Sequence, residues 1–367
     1  MSALLGSCGP TRRRILQIHP TLRCNLRCGH CYSSSGPLEK QELDVHSVEC
    51  LLEDAARLGF EIVSVSGGEP FLYGPLATVL RRARVLGMHT TVTTNGYFLD
   101  ARHLDPLRGC LDVLAVSLDG PPEIHNRMRA SPQAFDRLCA GLECLRASGQ
   151  SFGFIHTVTR ESWIHLLWLG EFAAANGARL LQLHPLELAG RAQTNLADLA
   201  AEFGVLSRVY LLAAALATTY SGVMAIQTDL MHRDQVLADP ELVYAGETVR
   251  QPAEATAAEV LGVLVLEPDG ALVPLTYGFS RQYQVANLNR QTLSEAWPAY
   301  LRDTYPDFRR LCLVVFEHLV APGASPLFNW HERIAAQSHL TALSPARPVV
   351  MQNHKPRRRR SSLIAAF

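Results

Sequence analysis

The chain has 367 residues, 48 % apolar and 19 % charged, which suits a packed globular protein of one large domain or a large domain with a smaller companion. Lys plus Arg and Asp plus Glu balance at 34 each, so net charge gives no argument for nucleic acid or an anionic membrane as partner. Its nine cysteines are odd in number and unevenly scattered, which excludes the disulfide framework of a small secreted domain.

The opening Met1–Cys8 is too short for a secretory signal, and Arg12–Arg14 follow too soon. From there the first half alternates strand and helix patterns. Strand-like runs fall at Ile15–Ile18, Ile62–Val65, Thr90–Thr94, Val113–Ser117, Phe152–Val158 and Leu180–Leu183. Between the first two, Val45, Val48, Leu51, Leu52, Ala55 and Leu58 recur at helical spacing, and Gly59 follows as a stop. Pro75 starts the next helix and Gly87 ends it; Ser131-Pro132 opens another that Gly149 closes. Ser162 begins one more, ending at Asn176-Gly177. Six strands alternating with helices predict an α/β fold with parallel pairing, either a doubly wound sheet or a partial (β/α) barrel.

After about residue 190 this rhythm stops. A helical region over 196–226 is expected, and its uncharged stretch Val209–Ile226 is rich enough in Ala, Thr and Ser to read as a buried helix and not a membrane span. A polar knot follows, Asp229-Leu-Met-His-Arg-Asp234. Two strand-like runs, Val260–Glu267 and Ala271–Leu275, are joined by Pro268-Asp269-Gly270, a strong hairpin signal. A short helix is expected around Leu293–Leu301. Residues 235–320 thus read as a small α+β module, and 321–367 as a loosely ordered tail carrying the basic run Lys355–Arg360.

The chemistry concentrates just after the first strand. Cys24-Asn-Leu-Arg-Cys28-Gly-His-Cys31 spaces three thiols by three and then two residues, within reach of one iron–sulfur cluster. Three protein ligands leave one iron of four open to bind a small molecule. Zinc is the competing reading, with His30 as fourth ligand, but His30 adjoins Cys31, where joint chelation of one ion is awkward. The spacing favours the cluster.

The loop resembles the CxxxCxxC signature of the radical S-adenosylmethionine (SAM) superfamily. Five further stretches agree with that family in order and position. They are Ser66-Gly67-Gly68-Glu69-Pro70, Thr93-Thr94-Asn95-Gly96, Ser117-Leu118-Asp119-Gly120, Ile124-His125-Asn126-Arg127-Met128-Arg129 and Gln182-Leu183-His184-Pro185. The resemblance covers roughly residues 15–190 and implies a partial (β/α)6 TIM-type barrel over 15–234. It implies an enzyme in which Cys24, Cys28 and Cys31 hold a [4Fe–4S] cluster whose open iron chelates the SAM amino and carboxylate groups. Gly67 and Gly68 would admit the methionine moiety, Glu69 would meet its amino group and Arg129 its carboxylate. Ser117 and Asp119 would bind the ribose, with His30 and Leu183 flanking the adenine. One-electron reduction would then release a 5′-deoxyadenosyl radical that takes hydrogen from substrate. The resemblance also implies a reductant such as flavodoxin or ferredoxin. An oxygen-labile cluster without an export signal implies a reducing cytoplasm.

The segment from Leu266 to Trp297 is similar to the SPASM/twitch extension of peptide-modifying members, whose cysteines hold auxiliary clusters. Here Pro274 is followed by Leu275 where a cysteine is usual, and beyond Cys144 only Cys312 remains. The expected substrate is a ribosomally made peptide, presented by a separate protein; the alternatives are a small metabolite or cofactor precursor, and a non-catalytic Fe–S scaffold. His156, His184, Glu187 and the polar knot are candidates for lining the substrate pocket, where a His or Asp handles a proton; for the knot a salt-bridged loop is the competing reading.

Overall fold

The computed structural model describes residues 14–246 and 255–340, so Cys8 and the basic run Lys355–Arg360 lie outside it. All six expected strands form. In chain order the first half runs β1 (Ile15–Ile18), α1 (Val45–Arg57), β2 (Ile62–Val65), α2 (Leu76–Val85), β3 (His89–Thr94), α3 (Ala101–Leu104), β4 (Val113–Ser117), α4 (Pro122–Arg129), α5 (Ala134–Ala147), β5 (Phe152–Val158), α6 (Leu166–Ala175) and β6 (Leu180–Pro185). Local signals explain the boundaries. The Asp44 carboxylate accepts from the Ser47 N–H and starts α1, and Gly59, at φ +89°, turns the chain out of it.

The second half holds α7 (Ala192–Asn195), α8 (Phe203–Thr219), β7 (Ala225–Thr228), β8 (Leu230–His232), α9 (Arg233–Ala238), α10 (Ala257–Leu261), β9 (Val263–Leu266), β10 (Ala271–Pro274), β11 (Ala286–Asn287), α11 (Leu293–Ala299), α12 (Tyr305–Val320), β12 (Leu327–Asn329) and α13 (Trp330–Ser338). The apolar stretch 209–226 is therefore not one helix. α8 ends at Thr219, Gly222 turns the chain at φ +77°, and Ala225 and Ile226 enter a seventh parallel strand. Among the described residues no helix is long and apolar enough to cross a membrane.

Ten strands form one open sheet in the order β11-β10-β9-β1-β2-β3-β4-β5-β6-β7, parallel from β9 through β7. This is the α/β, mostly parallel architecture expected, a partial barrel that does not close. The hairpin β9–β10 continues the sheet: β9 lies beside β1, with Ile15 opposite Val263. Residues 321–340, expected to be loose, instead contain β12 and α13. β12 pairs antiparallel with β8, and Trp330 and Ile334 are wholly buried, contacts between distant segments that no local pattern announces.

Strand periodicity divides the sheet into two unlike faces. On one, Leu16, Ile18, Val63, Val92, Val116 and Phe154 are wholly buried in the core that includes Val48, Leu51 and Leu52 of α1. Each such side chain contributes roughly 1.5–3 kcal/mol by leaving water. The opposite face is half-exposed and mostly polar. Gln17, Ser64 and Thr91 stand in register across β1–β3, while Ser117, Ile155, Gln182 and Gln227 do so across β4–β7. The open sheet therefore presents a polar trough, and the loops after its strands meet at one end of it.

Candidate cofactor and substrate site

The cysteine loop leaves β1 and is pinned at its base: the Cys24 N–H donates to the Gly36 carbonyl at 3.1 Å, and the Gly36 N–H to that of Leu22 at 3.1 Å. Cys24 and Cys28 are buried with Leu26 in a small apolar cluster against which Cys31 and Tyr97 pack. None of the three is in a disulfide. Burial pushes the Cys24 thiol up to about 12 and raises that of Cys28. Both thiols are thus protonated in the cofactor-free chain at neutral pH, and iron must displace those protons to bind. Among the described residues no three His, Cys, Asp or Glu side chains converge as ligands of a single metal ion.

The turn after β2 closes over this loop. The Gly68 N–H donates to the Thr21 carbonyl at 2.8 Å and the Glu69 N–H to that of Arg23 at 2.9 Å. A Cβ on Gly68 would stand 2.2 Å from the Arg23 oxygen, so only glycine allows the two backbones to lie this close. Gly67, at φ +112°, sits where a side chain would be strained. Glu69 is wholly buried, and its carboxylate accepts from the Phe71 N–H at 3.1 Å, the Thr94 hydroxyl at 2.9 Å and the Asn95 N–H at 2.9 Å. Burial raises it to about 6 against those donors. It braces the ends of β2 and β3 together. Asn95 reaches back from β3, its Nδ2 lying 3.7 Å from the Cys24 sulfur and 2.8 Å from the Asn25 side-chain oxygen.

A buried charge pair forms the other wall. The Arg129 Nε donates to Asp119 at 2.7 Å, and its Nη1 lies 4.0 Å from the Cys28 sulfur. Burial opposes the Asp119 charge, yet the guanidinium beside it holds the carboxyl well below the usual carboxylate range. Three imidazoles surround this pair, His30, His125 and His156, and burial takes each down to about 4, so they are neutral. Among the described residues the Nδ1 of His30 is buried with no hydrogen-bond partner.

The structure gathers Cys24, Cys28, Cys31, His30, Gly67, Gly68, Glu69, Asp119 and Arg129 around one loop, with Ser117 at the end of β4 nearby. Leu183 differs: its side chain is wholly buried in the core, on the helix side of β6. His156 likewise points away from the trough, bonded to the Leu118 carbonyl at 3.2 Å and the Ser162 hydroxyl at 3.2 Å. The polar knot divides. His232 caps α9 by accepting from the Asp234 N–H at 3.2 Å, and Arg233 binds the Pro326 and Ala324 carbonyls. Asp229 instead meets His184 in the trough, where Gln182 donates to it at 3.3 Å.

His184 is held by carboxylates on both sides, Asp229 at Nδ1 and Glu187 at 3.6 Å from Nε2. Burial lowers its affinity for a proton, but Glu187 and Asp229 overcome this and raise it to about 9. The stability lent by that proton is whole below 6.5 and is lost as pH rises through about 9. The side chain remains 35 % exposed, which screens the effect. The urea midpoint of the parent is therefore expected to fall between pH 6.5 and 9 more than that of His184→Gln; parallel profiles would contradict the assignment.

Sequence reasoning missed Arg191. Its N–H donates to the Cys31 carbonyl at 3.0 Å, and its Nε to that of Cys28 at 2.9 Å. The only local signal is Gly190 before it, at φ +53°, where a Cβ would stand 2.2 Å from the Tyr32 carbonyl.

Comparison with known proteins now bears on this geometry. A family model described as Radical SAM superfamily matches residues 18–173. The chain is 33 % identical over 144 residues to the Fe-coproporphyrin III synthase of Methanosarcina barkeri, covering 39 % of this chain and 36 % of that protein. It is 31 % identical over 185 residues to the PqqA peptide cyclase of Ruegeria pomeroyi, covering 49 % of each. The chain thus spans half or less of the length of these curated relatives. Among solved structures, Streptococcus suis SuiB bound to precursor peptide SuiA superposes with a TM-score of 0.63 at 16 % identity, covering 89 % of this chain and 76 % of that one. At that identity the likeness concerns the fold.

Proposed function

Residues 18–173 make this chain a member of the radical SAM superfamily, whose cofactors are a [4Fe–4S] cluster and SAM, and we propose from this that it takes hydrogen from a polar, peptide-like substrate bound in the trough. The donor set fits the cofactors: three thiols of one loop outside any disulfide, a glycine turn with no room for a Cβ, and a buried imidazole nitrogen without a partner among the described residues. Cys24, Cys28 and Cys31 would hold the cluster; Gly67, Gly68, Glu69, Ser117, Asp119, Arg129 and His30 would enclose SAM. When bound, the pair supplies one-electron cleavage of a carbon–sulfur bond and a 5′-deoxyadenosyl radical able to abstract hydrogen.

The chain's own residues do the rest. Arg129 and Asp119 fix a charge pair beside Cys28, and the buried neutral imidazoles keep that wall free of further charge. His184, protonated between Asp229 and Glu187, offers the trough a hydrogen-bond donor. The polar face itself carries the peptide reading: Gln17, Ser64, Thr91, Thr157, Gln182 and Gln227 match backbone amides better than a flat apolar macrocycle. The names of haem-pathway relatives favour the second reading, a small metabolite.

The test uses anaerobically reconstituted protein, dithionite, SAM and a library of deuterated synthetic peptides. Deuterium in the 5′-deoxyadenosine product is expected. Transfer from a labelled porphyrin precursor and from no peptide would overturn the peptide reading. No 5′-deoxyadenosine under any condition would overturn the enzyme reading itself.

A further inference from the structure

We propose that Arg191 is a charge-positioning residue of the cofactor pocket, clamping the cysteine loop through two carbonyls and turning a free guanidinium nitrogen toward an anion of the bound cofactors. Three observations meet there. The backbone N–H and Nε of Arg191 engage the carbonyls of Cys31 and Cys28, at 3.0 and 2.9 Å, so the residue is tied to two of the three cysteines. Its Nη2 is buried and, among the described residues, has no hydrogen-bond partner. A buried guanidinium N–H without an acceptor is costly, and a guanidinium does not shed its proton to escape that cost. A ligand that supplies the acceptor removes the penalty. His30, whose Nδ1 is also buried and unpartnered among the described residues, lies within electrostatic reach of Arg191.

Charge accounting points the same way. Arg129 commits its Nε to Asp119, so that pair is neutral as a unit. Among the described residues no carboxylate pairs with Arg191, so it adds a positive charge next to a site that takes anions. Two anions share that chemistry: the carboxylate of the SAM methionine moiety and the thiolate-ligated cluster. The inference rests on the cofactor reading of the site, and its test is read without turnover.

R191Q and R191K are each reconstituted with iron and sulfide under anaerobic conditions. Two quantities are measured: SAM affinity by equilibrium binding, and the cluster midpoint potential without SAM by EPR-monitored titration. If the anion is the SAM carboxylate, R191Q weakens SAM binding about tenfold or more and leaves the potential in place. If it is the cluster, R191Q moves the potential to more negative values and leaves SAM affinity in place. In either case R191K, which keeps the charge, restores most of the parent value. Should R191Q fail to load iron, R191K carries the test: parent-like iron content with parent-like affinity and potential supports the charge role, and iron loss in both variants reduces Arg191 to a clamp and overturns it. Loaded R191Q with both quantities unchanged overturns it as well. Failure of the parent itself to take up a four-iron cluster would instead sink the cofactor reading.

Discussion

Gly68→Ala is expected to lose iron binding as completely as Cys28→Ala, although it leaves all three thiols in place. The added methyl would lie 2.2 Å from the Arg23 oxygen, 2.7 Å from its carbonyl carbon and 2.9 Å from that of Leu22, all backbone atoms. No side chain can swing aside to relieve this. The segment leading into Cys24 must move, and the bonds from the Gly68 and Glu69 N–H groups to Thr21 and Arg23 go with it. Overpacking of this kind costs about 1–3 kcal/mol, and each lost hydrogen bond about 1 kcal/mol more. The measurement is iron per chain after anaerobic reconstitution, beside a urea unfolding curve of the cofactor-free protein. Parent-like iron content would mean that the close approach of the two turns is not what shapes the site.

Asp119→Ala is the second large effect, expected to destabilise the cofactor-free chain by about 3–5 kcal/mol, because removing one partner of a buried ion pair strands the other. Asp119 is wholly buried and Arg129 nearly so. The imidazoles nearby give no compensation, since burial holds His30, His125 and His156 neutral. The double variant Asp119→Ala/Arg129→Ala should recover part of the loss, as the stranded charge is then gone. The pair also predicts acid sensitivity. Asp119 is held below its usual range, so its contribution is present above 3.8 and is lost as pH falls through the depressed value. Urea midpoints for the parent, Asp119→Ala, Arg129→Ala and the double variant give the answer. A single-variant loss below about 1 kcal/mol would mean that water reaches Arg129 and screens it.

The C-terminal segment packs against the cysteine loop from the β1 side. Its hairpin extends the sheet beyond β1, and Cys312 lies wholly buried on α12. Tyr277, just after β10, packs on His19 and Tyr32 with ring centroids 4.8 and 5.4 Å away, closing the cysteine loop from that side.

By itself the sequence determined the cysteine triad, six strands with four of the helices between them, and the glycine turn, because each is written in residues a few positions apart. Spacing of thiols, apolar periodicity and glycine punctuation are local quantities, and the structure follows them closely from β1 to β6. Only the tertiary structure decided which distant residues meet. Asp229 found His184 across 45 residues, and Arg191 found the Cys28 carbonyl across 163. The Ser294 N–H reaches Asp54 across 240, and the hairpin strand β9 settles beside β1. The stretch 209–226 shows the same limit at shorter range: its apolar content is equally good for helix or buried strand, and the edge beside β6 took its last residues as β7. These outcomes depend on burial and register between segments, and a buried charge, once its partner is present, is stable for a reason that no window of sequence contains.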